Sequence, residues 1–295
     1  MGDRVSTNTK KTVLSKPWQK IWRFIQSLPA YVILVIWSLF TIFVMVWIFT
    51  SSFKQTGDLL RNVWSLPTEL FLKNYDKAWS VVKMGSYFGN SIIIVSISIL
   101  LILSVSAPAA YVLSRIKFRG AIFLSWFFVA GMGIPFPLLF IPLFGMLRSI
   151  GLIDTLPGLI LIYVALSIPF TVFLLTGFFT TLPVEIEESA ALDGAGPFRT
   201  FFSIMMPLAS PGLLTAAIFN FIALWNEYML ALIFMTTQKK STVALGLYSL
   251  QSSMHYTGDW GALFAGVMIV VLPTIFIYIL LSERMIAGIT LGTGK

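Results

Sequence analysis

The 295-residue sequence has no cysteine and a single histidine, His255. The first absence excludes a disulfide framework and a thiolate site; the second excludes a multi-histidine metal centre. Charge is scarce as well. Asp, Glu, Lys and Arg make up 11% of the chain, against about 25% in a soluble domain. What fills the space is apolar: hydrophobic residues reach 57% and mean hydropathy is +0.89, so lipid is the main solvent for this chain. The net charge of +8 then reads as the lysines and arginines that set membrane topology, not as a nucleic-acid surface.

The stretch Tyr31–Ser51, YVILVIWSLFTIFVMVWIFTS, carries no charge. About 20 residues at ~1.5 Å each cross a ~30 Å hydrocarbon core. A signal peptide has a shorter apolar core and a small-residue cleavage site, so this stretch is expected to be a retained span. Five more spans are expected near 87–113, 120–146, 157–180, 208–235 and 262–282, which makes the chain an all-α, polytopic membrane protein with six transmembrane helices. Pro135, Pro137 and Pro142 predict that the third is kinked or split, and Ser167 with Pro169 predict an interruption of the fourth. Residues 1–29 form a basic segment (Arg4, Lys10, Lys11, Lys16, Lys20, Arg23) ending in PWQKIWRFIQSLP, an amphipathic stretch suited to the membrane surface. With the N-terminus inside, those basic residues share the cytoplasmic side with Arg115, Lys117, Arg119, Arg199, Arg284 and Lys295. The smaller basic set left outside is concentrated in one longer loop, where charge constrains topology less. Both termini are therefore expected in the cytoplasm.

Against this background EESAALDGAG, residues 187–196, is out of character. On the expected topology it lies in a cytoplasmic loop, 181–206. Thr181 is expected to cap a short helix, Pro183 fits a first turn, and Glu185, Glu187 and Glu188 suit a helix N-terminus. Gly194 can end that helix with a positive φ, and Pro197 can start a second one, FRTFFSIMM, running to Pro207. Ser189, Ala190 and Ala191 leave a face without bulk that a partner's backbone can approach. Taken alone, the same residues also fit an amphipathic loop that merely joins two spans.

The spacing resembles the EAA loop of bacterial ABC importer permeases, Glu-Ala-Ala-x3-Gly-x9-Ile-x-Leu-Pro. This sequence has Glu188, Ser189 and Ala190, then Gly194, Ile204, Met206 and Pro207; Ser189 and Met206 replace an alanine and a leucine. After residue 30 nearly the whole chain resembles permease subunits of the maltose-type carbohydrate importers, through FLKNYDKAW, NSIII, AAYVLSRIKFRG, GLIDTLPGLIL, IPFTVFLLTGFF, FIALWNEYMLALIFM, DWGALFAGVMIVVLP and AGITLGTGK. The resemblance implies a type I ABC importer transmembrane domain over 30–295, in the bacterial inner membrane. It implies a second, homologous permease subunit, two ATPase subunits, an extracytoplasmic sugar-binding protein, and alternating access driven by the ATPases. It also implies that the chain is not an enzyme, that it binds no cofactor of its own, and that ATP and Mg sit in the partner ATPase. Coupling to that ATPase is expected from Glu188, Ser189, Ala190, Ala191, Asp193, Gly194, Ile204 and Pro207, and the substrate is expected to be a di- or oligosaccharide or a sugar derivative.

Glu227 is the one acid expected inside a span, and Asn220, seven residues earlier, shares its helix face. With Trp225 and Asn226 these are the candidate pathway residues, because an intramembrane ionisable group tends to face a cavity or a partner. The competing reading is structural: a hydrogen bond to another helix, or packing. Asn90, Ser91, Met132 and Gly133 could also line a pore, and each alone fits packing as well. Gly292–Lys295 lacks the residues of a phosphate loop and is expected to be a short tail near the ATPase. His255, Tyr256, Asp259 and Trp260 are expected in an outer loop. A self-sufficient carrier would need more intramembrane acids or an internal repeat. An intramembrane enzyme would need a dyad or a metal set that the composition does not provide. An exporter fits poorly with the EAA loop and with the lack of a fused ATPase domain.

Overall fold

The structure, a computed structural model, describes the backbone of residues 16–292 and the side chains of residues 28–282 other than His255. The expected roles of the basic residues before Leu28, of the His255 side chain and of the terminal tail lie outside the described residues. The chain divides into two units, residues 1–50 and 51–295. The first is α1 (Lys16–Ser51), one helix that continues from the amphipathic stretch through Pro29 into the apolar span. The hydroxyl of Thr41 donates to the Trp37 carbonyl and that of Thr50 to the Trp47 carbonyl, which hides both polar groups on the helix itself.

In the second unit, α2 (Thr56–Arg61) and α3 (Lys73–Asp76) occupy the connection to α4 (Met84–Arg115). Buried positions of α4 include Ser91, Val95, Ser98, Ile102, Ser106 and Ala110, spaced to line one helix face. Lipid is as apolar as leucine, so helices associate in a membrane by close packing, and small residues allow it. This face packs along α7 (Leu156–Thr181), the most extensive helix pairing of the bundle. Between them come α5 (Ala121–Met132) and α6 (Phe136–Ser149), which meet at 101°. The third expected span is thus split. Ile134 precedes Pro135 and Phe136 precedes Pro137, and a residue before proline is pushed out of the helical region. The interruption expected at Ser167 and Pro169 does not occur: α7 is continuous. Pro169 packs on Gly131 of α5, and a neighbouring helix of this kind lets a membrane helix run through a proline.

After α7 come α8 (Glu185–Leu192), α9 (Pro197–Arg199), π-helical turns over Thr200–Met205 and α10 (Met206–Leu208). Pro197–Leu208 acts as one rod and meets α11 (Ser210–Trp225) at 70°. The ring of Pro211 would clash with the carbonyl of Pro207 in a straight helix, which accounts for the bend. The segment expected as a single span near 208–235 also breaks after Trp225 and resumes as α12 (Met229–Phe234). α13 (Val243–Thr257) occupies what was expected to be an outer loop and places His255 and Tyr256 in its last turns. It starts where Thr242 accepts the Leu245 N–H and ends at Gly258, φ +57°. α14 (Trp260–Gly292) closes the bundle against α11 and α13. Among the described residues four helices are long and apolar enough to cross a membrane, or six if each bent pair is one span.

Two buried clusters lie at opposite ends of α7. One gathers Tyr87, Ile94, Tyr163, Trp225 and Phe234; the other gathers Ala110, Phe178, Phe179, Phe201 and Met205. In the second cluster a Cβ on Gly212 would lie 2.5 Å from the Phe178 ring, so glycine is what lets α11 come that close to α7.

Candidate functional site

The elbow of α8 and the Pro197–Leu208 rod is built by local signals. Glu185, Glu187 and Glu188 occupy the first turn of α8, where carboxylates favour the positive end of the helix dipole. The Asp193 N–H bonds Ser189 O, the Gly194 N–H bonds Ala191 O and the Ala195 N–H bonds Ala190 O at 2.9 Å. Gly194 takes φ +77°, which reverses the chain in a conformation other residues resist. Pro197 then opens the rod, where its missing N–H costs nothing. The cap expected at Thr181 is not formed. That hydroxyl donates back to Phe178 O at 2.8 Å, and Val184 holds the N-cap position without a side-chain bond. Thr181 still lies in the last turn of α7, too early to reach the first amides of α8.

The elbow has an inner and an outer face. Ala190 is 4% exposed, and Ile186 packs with Phe201 and Met205 into the nearby core. Arg115, the last residue of α4, donates to Leu182 O, and its Nε lies 3.8 Å from Glu187 Oε2. The outer face carries Glu188, Ser189, Ala191 and Asp193, all exposed. Leu192 is 89% and Phe198 81% exposed, with Phe202 one turn further along the rod, also exposed. Of the expected coupling residues, Glu188, Ser189, Ala191, Asp193, Gly194 and Pro207 are thus on the surface, Ala190 supports them from inside, and Ile204 is half-buried. Sequence reasoning missed Leu192, Phe198, Phe202 and the Arg115 latch. The sequence held no signal that separates them: positions 198, 201, 202 and 205 follow one helical spacing, and only the packing leaves Phe198 and Phe202 exposed while Phe201 and Met205 are buried.

At the far end of α7 the candidate pathway residues meet in a different way. Glu227 sits in the break before α12. Its Oε1 accepts the Leu230 N–H at 2.6 Å and its Oε2 accepts the Ala231 N–H at 3.3 Å and the Tyr163 hydroxyl at 2.6 Å. The carboxylate therefore caps α12 and fastens it to α7. Asn220 donates to Thr171 Oγ1 at 2.9 Å and to Ala216 O, so Asn220 and Glu227 do share the face toward α7. Trp225, 2% exposed, donates from its indole to Val270 O and stacks on Phe221. Asn226 alone of the four is exposed. Asn90 and Ser91 hold the start of α13: Asn90 donates to Lys239 O and Ser241 O, and Ser91 Oγ accepts the Val243 N–H.

Asp154 fixes the other end of α12. It accepts the Thr236 and Thr237 N–H groups, the Thr237 hydroxyl at 2.6 Å, and Lys240 at 3.2 Å. The Thr237 hydrogen bonds, with help from Lys240 and Thr236, hold its carboxyl well below the usual range for aspartate. Asp259 likewise joins Lys77 at 2.9 Å, Thr56 at 3.1 Å and the Ala262 N–H. Partial burial works against ionisation there, but these bonds outweigh it and the carboxyl is lowered. Among the described residues no group of three or more His, Cys, Asp or Glu is placed to hold a metal ion. A cavity of about 520 Å³ opens between α4, α5, α7 and α11, with Phe128, Val172, Phe178 and Thr215 in its walls. None of the four candidate pathway residues lines it.

Residues 102–282 match the family described as binding-protein-dependent transport system inner membrane component. The chain is 40% identical over 264 residues to the diacetylchitobiose uptake system permease protein NgcG of Streptomyces coelicolor, covering 90% of this chain and 87% of that one. It is 31% identical to the trehalose/maltose transport system permease protein MalG of Thermococcus litoralis, over 88% of this chain and 94% of the relative. Its fold is similar to a chain from the crystal structure of a bacterial ABC transporter involved in the import of the acidic polysaccharide alginate. The TM-score is 0.74 with 21% identity, covering 92% of this chain and 99% of that chain.

Proposed function

Because the chain belongs to the family of binding-protein-dependent transport system inner membrane components, we propose that it forms half of a sugar pathway and is driven through its elbow by a separate ATPase. It is a multi-pass membrane permease subunit of an ABC importer and not itself an enzyme. The observation that carries the coupling reading is the outer face of the elbow. Large apolar side chains, Leu192 and Phe198, stand exposed beside Glu188 and Asp193 on a helical turn outside the apolar spans. Such a patch marks a protein interface. The elbow faces the cytoplasm, with both termini on that side. A second, homologous permease completes the pathway, two ATPase subunits hold the ATP and Mg, and an external binding protein delivers the sugar. Relatives named for diacetylchitobiose and for trehalose/maltose support a di- or oligosaccharide or a sugar derivative as substrate.

The geometry supplies a route for motion. An ATPase gripping Glu188 and Leu192 pushes a turn whose angle Gly194 sets, and Arg115 passes the load to the ends of α4 and α7. A ligand that prefers one arrangement of a two-state element shifts its population. Within the pathway set, exposed Asn226 is assigned to the sugar's route, while Asn220, Trp225 and Glu227 hold the wall behind it. The test is a gentle-detergent purification from the native host, with mass spectrometry of the subunits that come with the chain. A second permease and an ATPase are expected, and the ATPase is expected to be lost from Glu188→Ala/Gly194→Val. A chain that purifies alone and moves solute after reconstitution overturns the proposal.

A further inference from the structure

The cavity of about 520 Å³ between α4, α5, α7 and α11 lies at the elbow end of the bundle. Leu113 comes to it from the last turn of α4, Thr176 and Thr180 from the last turns of α7, and Gly212 from the start of α11. No charged side chain lines it. Val129 and Phe173, on its walls, are exposed, and α5 beside them has no fully buried residue. Water finds no partners in an apolar cavity; in a bilayer the neighbour able to enter is hydrocarbon. At about 30 Å³ for a water-sized group, the space holds on the order of fifteen methylenes, one acyl chain. A helix about 10 Å across fills the same volume with little more than one turn, so a neighbouring helix does not seat in it.

The loop Ile116–Gly120 joins two of these walls at the elbow end. It alternates apolar and cationic residues, Ile116, Lys117, Phe118 and Arg119, all exposed. Neither Lys117 nor Arg119 forms an ion pair among the described residues, and the sequence has no acid between Asp76 and Asp154. Arg115, by contrast, is already taken by Leu182 and Glu187. Topology alone accounts for two cations at this end, but not for the apolar cavity beside them. Between the two lies Thr176, whose hydroxyl is buried without a hydrogen-bond partner. It stands five residues before the end of α7, about 7 Å inward at ~1.5 Å per residue, where a phospholipid's ester groups follow its phosphate.

We propose that the cavity is a phospholipid site in the leaflet on the elbow's side. One acyl chain of an anionic phospholipid fills it, the phosphate pairs with Lys117 and Arg119, and an ester carbonyl accepts from Thr176. The site stands on this chain's own fold and does not depend on the sugar.

The experiment uses the protein as isolated from its membrane, with the subunits that accompany it. It is placed in nanodiscs doped with phosphatidylglycerol or phosphatidylcholine carrying a photoreactive diazirine in one acyl chain, and mass spectrometry locates the crosslinks. Labelling is expected at Phe128 and Val172, about fivefold or more stronger with phosphatidylglycerol. Lys117→Gln/Arg119→Gln, at two exposed positions, is expected to bring phosphatidylglycerol down to the phosphatidylcholine level, while Lys117→Arg keeps the preference within about twofold of wild type. Val129→Trp, which fills the cavity from α5, is expected to remove labelling by both lipids; if it lowers the thermal midpoint, the cation pair carries the test. Equal labelling by the two lipids, or a preference that the cation pair leaves unchanged, overturns the proposal. So does labelling no stronger than at Phe276 and Ile279, exposed on α14, which would mark ordinary surrounding lipid. Absence of labelling because a second permease covers Phe128 and Val172 overturns it in favour of a protein occupant.

Discussion

The elbow and the α12 junction sit at opposite ends of α7 and treat their polar and apolar groups in opposite ways. At the α12 junction each carboxylate is consumed at home: Glu227 by α12 and Tyr163, Asp154 by Thr236, Thr237 and Lys240. Trp225 is enclosed there, and its indole N–H is bonded. At the elbow one carboxylate, Glu187, is latched to Arg115, while Glu188 and Asp193 are left outside with Leu192 and Phe198. The first region is finished within the chain. The second leaves charged and apolar groups on the surface, where the proposed ATPase would meet them. The contrast shows that an ionisable residue in an apolar segment is not by itself a sign of chemistry, whereas an apolar residue in a polar loop points to a partner.

The comparison breaks if substitutions at the two ends have the same consequence. The largest effect is expected from Glu227→Ala, which leaves the Tyr163 hydroxyl and two helix amides unpaired. It should destabilise the chain by about 3 kcal/mol, seen as a lower thermal midpoint in detergent; an unchanged midpoint would place Glu227 outside the fold's support. Next is Phe198→Ala. It should weaken ATPase association by about 2 kcal/mol, in the range of an interface anchor, while the thermal midpoint of the isolated chain stays at the wild-type value. Loss of that midpoint would make the elbow a part of the core. Gly194→Val imposes a positive φ on a β-branched residue, a strain of about 1–2 kcal/mol. It should reduce sugar uptake with the chain still inserted, and full uptake would remove the elbow from the coupling route.

The smallest effect concerns Asp154. Its carboxyl titrates lower in the folded chain than the ~3.9 of an unfolded aspartate. The stabilisation is therefore fully present above pH ~4 and is lost as pH falls through the folded value. A thermal midpoint followed downward from pH 6 should drop below pH ~4 in wild type and drop less in Asp154→Asn. Parallel curves would show that Asp154 does not hold α12.

The elbow was legible because its instructions are short-range. Gly194 and Pro197 dictate local φ, and the Glu188–Pro207 spacing can be read without knowing what lies nearby. The split at Gly133–Pro135 was legible for the same reason. The continuity of α7 was not, because it depends on Gly131 of another helix receiving Pro169. Glu227 stood out as the one acid in an expected span, and the spacing to Asn220 gave a shared face; that this face meets α7 is seen only in the structure. Its carboxylate partners could not be read: Tyr163 is distant in sequence, and the amides of Leu230 and Ala231 are free only because the helix breaks at Trp225. Phe198 and Phe202 were hidden in a run of apolar residues, where only the packing of Phe201 and Met205 reveals which pair faces out.

Arg115 ends α4, reaches the carbonyl that follows α7 and stands beside a carboxylate of α8. In mechanical language it is a gusset plate: three members meet at one joint, so a torque applied to any of them is shared before anything bends. On the coupling proposed above, a push on the elbow would reach α4 and α7 together, and slack would have to come from the bends at Gly194 and Ala209 on either side of the rod.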